Sequence, residues 1–168
     1  IHLLLQLSIL VTHAEESSLG LPCNDAIRLL KAIARLRALD FSGIGVVFYE
    51  DLAQLPHLQL TNDEQKPTVA GLTGGDLASQ LAGISVMSSP LHDGFHFVDV
   101  RCWQLTHIAQ FISPPIPRDV DQRISGTGAR LMAAALTSLL PGISCVGLTS
   151  QTGEVHLFRG GVDVAKRE

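Results

Sequence analysis

Two short runs of the chain carry residue types that could hold a phosphate group. The first run, Ser89 to Val98, places the imidazole of His92 and the carboxylate of Asp93 just before an apolar segment typical of a buried strand. The second run, Ser125 to Ala134, has a small-residue loop, Gly126 to Gly128, before a helix-forming apolar segment. Backbone N–H groups at the start of a helix can bind an anion. We therefore predict that the two runs face each other and form one phosphate site.

Composition limits the class of protein. The chain has 168 residues, of which 46% are hydrophobic and 17% charged, and this predicts a single globular domain over residues 1–168 with a substantial core. The formal net charge is -4 and the isoelectric point is near 5.9. This balance offers no basic surface for a nucleic-acid backbone, so we predict no nucleic-acid partner for this domain.

The cysteines indicate a reducing compartment. Cys23, Cys102 and Cys145 are far apart and odd in number, which argues against a disulfide framework and predicts a cytoplasmic protein. Each is expected to be a small buried apolar residue. The apolar segment 1–14 could be a secretory signal, but it lacks an initiating Met and a basic start, so a trimmed first strand is the favoured interpretation.

Hydrophobic patterns and turn signals predict helices alternating with strands and ending in hairpins. This order indicates the α/β (α+β) class, with a central twisted mixed β-sheet flanked by helices. The predicted helices are about Asp25 to Leu39, capped by Asn24 or Asp25, then Leu77 to Ile84, capped by Asp76, and about Gly128 to Leu139. The predicted strands are Leu3 to Thr12, Gly43 to Tyr49, Phe95 to Val98, Cys102 to Ile108, Ile143 to Thr149 and Glu154 to Phe158, with exposed loops at Leu52 to Val69 and Ser113 to Arg118.

The order of these elements and three motifs resemble the diadenylate cyclase domain. That family carries Pro-Leu-His-Asp-Gly-Ala, then Gly-Thr-Arg-His-Arg-Ala-Ala, then Ser-Glu-Glu-Thr-Gly in a hairpin turn. The corresponding segments here are Pro90 to Phe95, Gly126 to Met132 and Thr149 to Gly153. The resemblance covers roughly residues 43–161 and implies a diadenylate cyclase-like fold.

The resemblance also implies a reaction. Two facing domains would each bind ATP and join the two molecules into cyclic di-AMP, with a divalent metal, Mg or Mn, near the His-Asp-Gly run and an acid of the hairpin turn. It implies a homo-oligomer, and an effector domain outside this chain would fit such a protein. This sequence departs from the pattern where the chemistry would occur. Gly128 and Ala129 replace an Arg-His pair, and Ser150 and Gln151 replace two glutamates.

The retained and missing groups together favour a nucleotide-binding sensor domain that binds ATP or a cyclic dinucleotide without efficient turnover. Losing one such electrostatic group costs about two to three orders of magnitude in rate, and several are missing. An active cyclase with Asp93 as a catalytic residue, and an oligomerisation module with a decayed pocket, are the alternatives. The predicted nucleotide- or phosphate-binding residues are Asp93, Gly94, Phe95, Gly126, Thr127, Gly128, Arg130, Ser150 and Gln151, with His92 as a candidate metal ligand.

Several of these residues have ordinary structural interpretations. Asp93 could cap a turn, His92 could be a strand-end histidine, and Arg130 could form a surface ion pair. Phe95, in place of the family alanine, either fills core or narrows an adenine slot. A metal shared by His92 and His96 is disfavoured, because the two straddle a glycine at the start of a strand. His107 and His156 have no partner motif and are expected to be ordinary strand residues.

Overall fold

The structure, a computed structural model, describes residues 20–61, 74–119 and 128–165. It forms a single α+β domain with three helices and one seven-stranded sheet in the described ranges. The helices are α1 (Leu21–Leu36), α2 (Gly74–Ile84) and α3 (Ala129–Thr137). The strands are β1 (Ile44–Tyr49), β2 (His57–Gln59), β3 (Phe95–Asp99), β4 (Gln104–Ile112), β5 (Ile143–Thr149), β6 (Val155–Arg159) and β7 (Val162–Asp163).

The sheet is mixed, as predicted. Its strand order is β2-β4-β3-β1-β5-β6-β7, and β1 runs parallel to β3 and antiparallel to β5. All six residues of β1 are buried, which confirms the expectation of a central strand covered on both faces. The β3–β4 and β5–β6 pairs form the two predicted hairpins. The amino ends of β1 and β3 and the carboxyl end of β5 consequently lie along one edge of the sheet.

Two apolar layers sandwich the sheet. On one face α1 and α2 pack against alternate strand residues such as Val46 and Phe48. On the other face α3 covers Val47 and its neighbours. A Cβ on Gly147 of β5 would lie 2.3 Å from Leu30 Cδ1, so α1 approaches β5 as closely as a glycine allows.

Some sequence predictions need correction. Helix α1 begins earlier than predicted, and the N–H of Asn24 already donates to the carbonyl of Gly20, so neither Asn24 nor Asp25 is the cap. Pro22 occupies the first turn, where its missing N–H costs nothing. Asp76 likewise lies within the first turn of α2. Cys102 is exposed, because it lies in the β3–β4 connection.

The element bounds differ in smaller ways. Helix α3 ends at Thr137 before a turn, short of the predicted Leu139, and β4 runs on to Ile112. The short edge strands β2 and β7 were not predicted, since two or three residues carry no readable periodicity. The predicted strand Leu3 to Thr12 lies outside the described residues.

Candidate functional site

A cleft of about 460 Å³ opens at the sheet edge where β5 ends and α3 begins, and we refer to it as the α3 cleft. Three parts of the chain form it: the loop before β1, the first turn of α3, and the β5–β6 turn with neighbouring strand residues. The lining residues are Ser42, Gly43, Gly128, Ala129, Arg130, Leu131, Leu148, Thr149, Ser150, Gln151, Thr152 and His156. Four predicted site residues, Gly128, Arg130, Ser150 and Gln151, therefore share one cavity.

The amino end of α3 faces this cleft with no side-chain cap. Gly128 is the residue before the helix, with φ 92 and ψ 154, and the first turn contains no acidic residue. Helix geometry leaves the first N–H groups without intrahelical acceptors, and their dipoles favour an anion. The backbone at Gly128 lies in a region that is essentially restricted to glycine. An arginine at this position, as in the resembling family, would be strained.

Arg130 supplies the cation of the cleft. Its Nη1 atom lies 3.5 Å from the position that a Cβ on Gly43 would occupy, and the backbone nitrogen of Gln151 lies at the same distance from that point. The guanidinium therefore reaches from α3 toward the amino end of β1 and the β5–β6 turn. A positive charge in the first turn of a helix opposes the helix dipole, so an anion between them would stabilise both.

The β5–β6 turn is held by its own hydrogen bonds. The N–H of Gly153 donates to the carbonyl of Ser150 at 2.9 Å, and the N–H of Glu154 donates to the Ser150 hydroxyl at 3.0 Å. The hydroxyls of Ser150 and Thr152 are also hydrogen-bonded to each other, at 2.9 Å. Ser150 thus shapes the turn, while Gln151 is exposed and lines the α3 cleft.

Asp93 and His92 lie at the amino end of β3, which we call the β3 mouth. This mouth is on the same sheet edge as the α3 cleft, but among the described residues the cleft lining includes neither of them. The Asp93 side chain is 73% exposed, and its Oδ1 lies 3.8 Å from His92 Nε2. His92 Nδ1 donates to the carbonyl of Ser89 at 2.5 Å. Gly126 and Thr127, also predicted to bind, lie outside the described residues.

Gly94 and Phe95 have structural roles beside this mouth. Gly94 has φ 81, and a Cβ there would lie 2.5 Å from the carbonyl oxygen of Gln110 in β4. Phe95 is only 5% exposed and belongs to the core under α3. A Cβ on Gly45 would lie 2.6 Å from the Phe95 ring. Of the two interpretations of Phe95, filling the core is the one this packing supports.

His96 forms part of the fold in a way that sequence reasoning missed. Strand β4 is irregular opposite β3, and Ala109 there has φ 50. The N–H of Ala109 donates to His96 Nδ1 at 3.2 Å, so the imidazole satisfies a backbone donor that the irregularity frees. His96 Nε2 is buried without a partner in the described part of the chain. Burial, and secondarily the charge of Arg130, lowers the pKa of His96 to about 3.

His156 is a cleft residue that sequence reasoning treated only as part of a strand. Its Nδ1 lies 2.8 Å from Asp163 Oδ2, and its Nε2 lies 3.5 Å from Glu154 Oε1. Asp163 is fixed in turn, because its Oδ1 accepts the N–H of Leu157 at 3.2 Å and of Ala165 at 3.1 Å. The spacing of two residues between Glu154 and His156 was a readable signal, although β6 begins only at Val155. The approach of Asp163 depends on strand β7.

The described residues do not by themselves supply a ligand set for a resident metal ion. Within residues 20–61, 74–119 and 128–165, no three His, Cys, Asp or Glu side chains are grouped so that they could hold one. His92 and Asp93 offer one imidazole and one exposed carboxylate, whereas magnesium and similar hard cations require several oxygen ligands.

No protein-family model and no curated protein matches the chain. Several solved structures resemble it, and two of them are compared with it as follows. One, described as a hypothetical membrane spanning protein from Bacillus cereus, is 25% identical and has a TM-score of 0.57 over 79% of this chain and 58% of that one. The other is DacA from Staphylococcus aureus, solved as a double cysteine mutant, which is 15% identical with a TM-score of 0.50 over 83% of this chain and 86% of that one.

The chain thus corresponds to little more than half the length of the Bacillus cereus protein. None of the helices in the described ranges is long and apolar enough to cross a membrane. DacA is a diadenylate cyclase, and the mixed seven-stranded sheet with three helices in the described ranges matches a fold of that type. The protein has a diadenylate cyclase-like fold.

Proposed function

We propose that the α3 cleft binds the phosphate part of a nucleotide or cyclic dinucleotide and that the domain acts as a sensor without efficient turnover. The observation that carries this proposal is the convergence of Arg130, the uncapped start of α3 and the β5–β6 turn on one cavity. Gln151 and Gly128 complete the proposed phosphate contacts. ATP and cyclic di-AMP are the candidate ligands because of the diadenylate cyclase-like fold.

The charge of the cleft favours an anionic ligand. Its described lining residues include one arginine and no carboxylate. Charge-assisted hydrogen bonds from a guanidinium and from backbone N–H groups are the usual means of phosphate binding in proteins. A volume of about 460 Å³ lies within the range of small-molecule sites. The cleft therefore supplies both the charge and the room that a nucleotide phosphate requires.

The same residues argue against efficient cyclisation. Phosphoryl transfer depends on positioning and on cations that neutralise the developing charge. Gly128 and Ala129 offer no charge, and Ser150 and Gln151 cannot act as carboxylate ligands of a metal. A divalent ion, Mg or Mn, would enter together with the ligand phosphates, whose oxygens would provide most of its coordination.

Calorimetry with ATP and with cyclic di-AMP tests the proposal. We expect Arg130→Ala to weaken binding of the preferred ligand by about tenfold or more, since a charge-assisted hydrogen bond contributes about 1.5 to 3 kcal/mol. Arg28→Ala is the matched control: Arg28 lies on α1, its side chain is 66% exposed, and it pairs with Asp25 at 2.9 Å. Equal affinity of both variants and the natural sequence would refute phosphate binding in the cleft.

Incubation with ATP and either manganese or magnesium, followed by chromatography, tests the absence of turnover. We expect no cyclic di-AMP above the rate of a protein-free control. Steady formation of the cyclic product would instead establish the alternative of a divergent active cyclase. In that case Asp93 would be the first candidate for a catalytic role, and Asp93→Asn should abolish product formation.

A second copy of the chain is the proposed partner, with an effector domain outside this chain. The support is the resemblance, which implies two nucleotide sites face to face. Sedimentation velocity with and without nucleotide measures this directly, and we expect self-association that the ligand strengthens. Self-association in a chain that binds neither ATP nor cyclic di-AMP would support the oligomerisation module instead.

A further inference from the structure

Two cysteines that are far apart in sequence meet in the core beneath α1. Cys23 lies in the first turn of α1 and Cys145 lies in β5, and their thiols are hydrogen-bonded to each other. Cys23 is 2% exposed and Cys145 is fully enclosed, and both belong to the core cluster on this face of the sheet. The sequence suggested three isolated thiols, but the packing of α1 on β5 creates a pair.

One member of the pair borders a second cleft. This cleft has a volume of about 360 Å³, lies at the start of α1, and is lined by Cys23 together with Arg159, Glu50 and Ser144 among others. Cys145 is not among its described lining residues and lies behind Cys23 in the core. A small molecule in the cleft would therefore contact Cys23 before Cys145.

The surroundings make the two sulfurs chemically unequal. The hydrogen bond with Cys145 lowers the pKa of Cys23, the charge of Arg159 lowers it further, and burial acts in the opposite direction. The start of α1 also favours a thiolate through the helix dipole. The hydrogen bond with Cys23, together with burial, raises the pKa of Cys145. Cys23 is thus suited to attack an oxidant, and Cys145 remains a thiol beside it.

We propose that Cys23 and Cys145 form a reversible disulfide when hydrogen peroxide enters the second cleft. The Cys23 thiolate attacks one peroxide oxygen, the O–O bond breaks, and Cys23 becomes a sulfenic acid as hydroxide leaves. The Cys145 sulfur then attacks the Cys23 sulfur, the S–O bond breaks, and the departing oxygen leaves as water with the Cys145 proton. The two thiols lose two electrons in total, and the peroxide is reduced to water.

Peptide mapping of the full chain tests this assignment. Native protein is treated with hydrogen peroxide, remaining thiols are alkylated under denaturing conditions, and non-reducing digests are analysed by mass spectrometry. We expect a cross-linked peptide joining Cys23 to Cys145 that disappears after dithiothreitol. Cys102→Ser removes the exposed thiol and should leave the cross-link intact, whereas Cys23→Ser and Cys145→Ser should each abolish it.

Two results would overturn the proposal. One is complete alkylation of both thiols after peroxide treatment of the native protein. The other is a cross-link that forms only when the chain is unfolded in urea before oxidation. The comparison of native with urea-unfolded protein uses the natural sequence, so its result does not depend on whether a cysteine variant folds. Since the disulfide would close a long loop, from position 23 to position 145, oxidation should raise the Tm and dithiothreitol should return it.

Discussion

The α3 cleft and the β3 mouth lie on the same edge of the sheet but differ in what their polar groups face. In the cleft, Arg130 and the uncapped start of α3 face an open volume of about 460 Å³. At the mouth, the carboxylate of Asp93 is 73% exposed, and one nitrogen of His92 already donates to a backbone carbonyl. The cleft is built from parts distant in sequence, and the mouth is built from one local turn.

This difference shows that a residue of a motif can be required either by the packing of the fold or by the shape of the site. Gly94 belongs to a motif suggestive of nucleotide chemistry, yet the structure explains it by its contact with the backbone of β4. A Cβ on Gly128, in contrast, would meet no heavy atom of the described residues within 4 Å beyond its own chain neighbours, so this glycine leaves the cleft open. Residues that share a sheet edge therefore do not automatically share a site.

The largest predicted effect is on stability at Gly94. Gly94→Ala combines a positive φ of 81 with a Cβ 2.5 Å from a carbonyl oxygen, and we expect it to lower the free energy of unfolding by about 3 to 4 kcal/mol. Gly128→Ala is the matched control, because Gly128 has a similar positive φ of 92 but a Cβ there would meet no described atom within 4 Å. It should cost about 1 to 2 kcal/mol. Urea denaturation measures both, and equal losses would contradict the contrast.

The second-largest predicted effect is on the pH dependence of stability. It concerns His96, a residue of β3 whose side chain is buried in the core. Its pKa is about 3 when folded and near 6.5 when unfolded, so the unfolded chain binds more protons between these values. Stability should therefore fall as pH falls from 6.5 toward 3, by about 2 kcal/mol at pH 5 relative to pH 7.

His96→Asn separates this contribution from other acid effects. Asparagine keeps an acceptor for the Ala109 N–H but does not titrate, so its stability should change less over the same pH range. Denaturant midpoints at a series of pH values provide the measurement. A variant that loses stability between pH 6.5 and 5 as steeply as the natural sequence would show that other groups dominate.

The smallest predicted effect is at Asp93, and it tests the comparison most directly. Asp93→Asn should change nucleotide affinity by less than about twofold, since an exposed carboxylate outside the cleft contributes little to a phosphate site. Calorimetry alongside Arg130→Ala gives both values under one set of conditions. A loss at Asp93 as large as the loss at Arg130 would mean that the ligand extends from the cleft into the β3 mouth.

Local patterns identified most of the sheet but only part of the site. The apolar run before Glu50 and the two hairpins were readable, because burial on both faces and turn residues leave a clear pattern in sequence. The contribution of Gln151 and Arg130 to one cavity was anticipated through motif resemblance. The surroundings of His156 in the same cavity were not readable, because Asp163, which contacts its Nδ1, is brought beside it by the pairing of β6 with β7.

The sequence by itself determined the class of fold, because alternating helical and strand periodicities with short turns permit few arrangements. It also determined which charges are missing, since Gly128, Ala129, Ser150 and Gln151 are visible without coordinates. Only the tertiary structure decided which groups meet. The close packing of α1 on β5 paired Cys23 with Cys145, and the strand order placed β1 between β3, which follows Asp93, and β5, which borders the α3 cleft. Such contacts join positions far apart in the chain, and no local pattern records them.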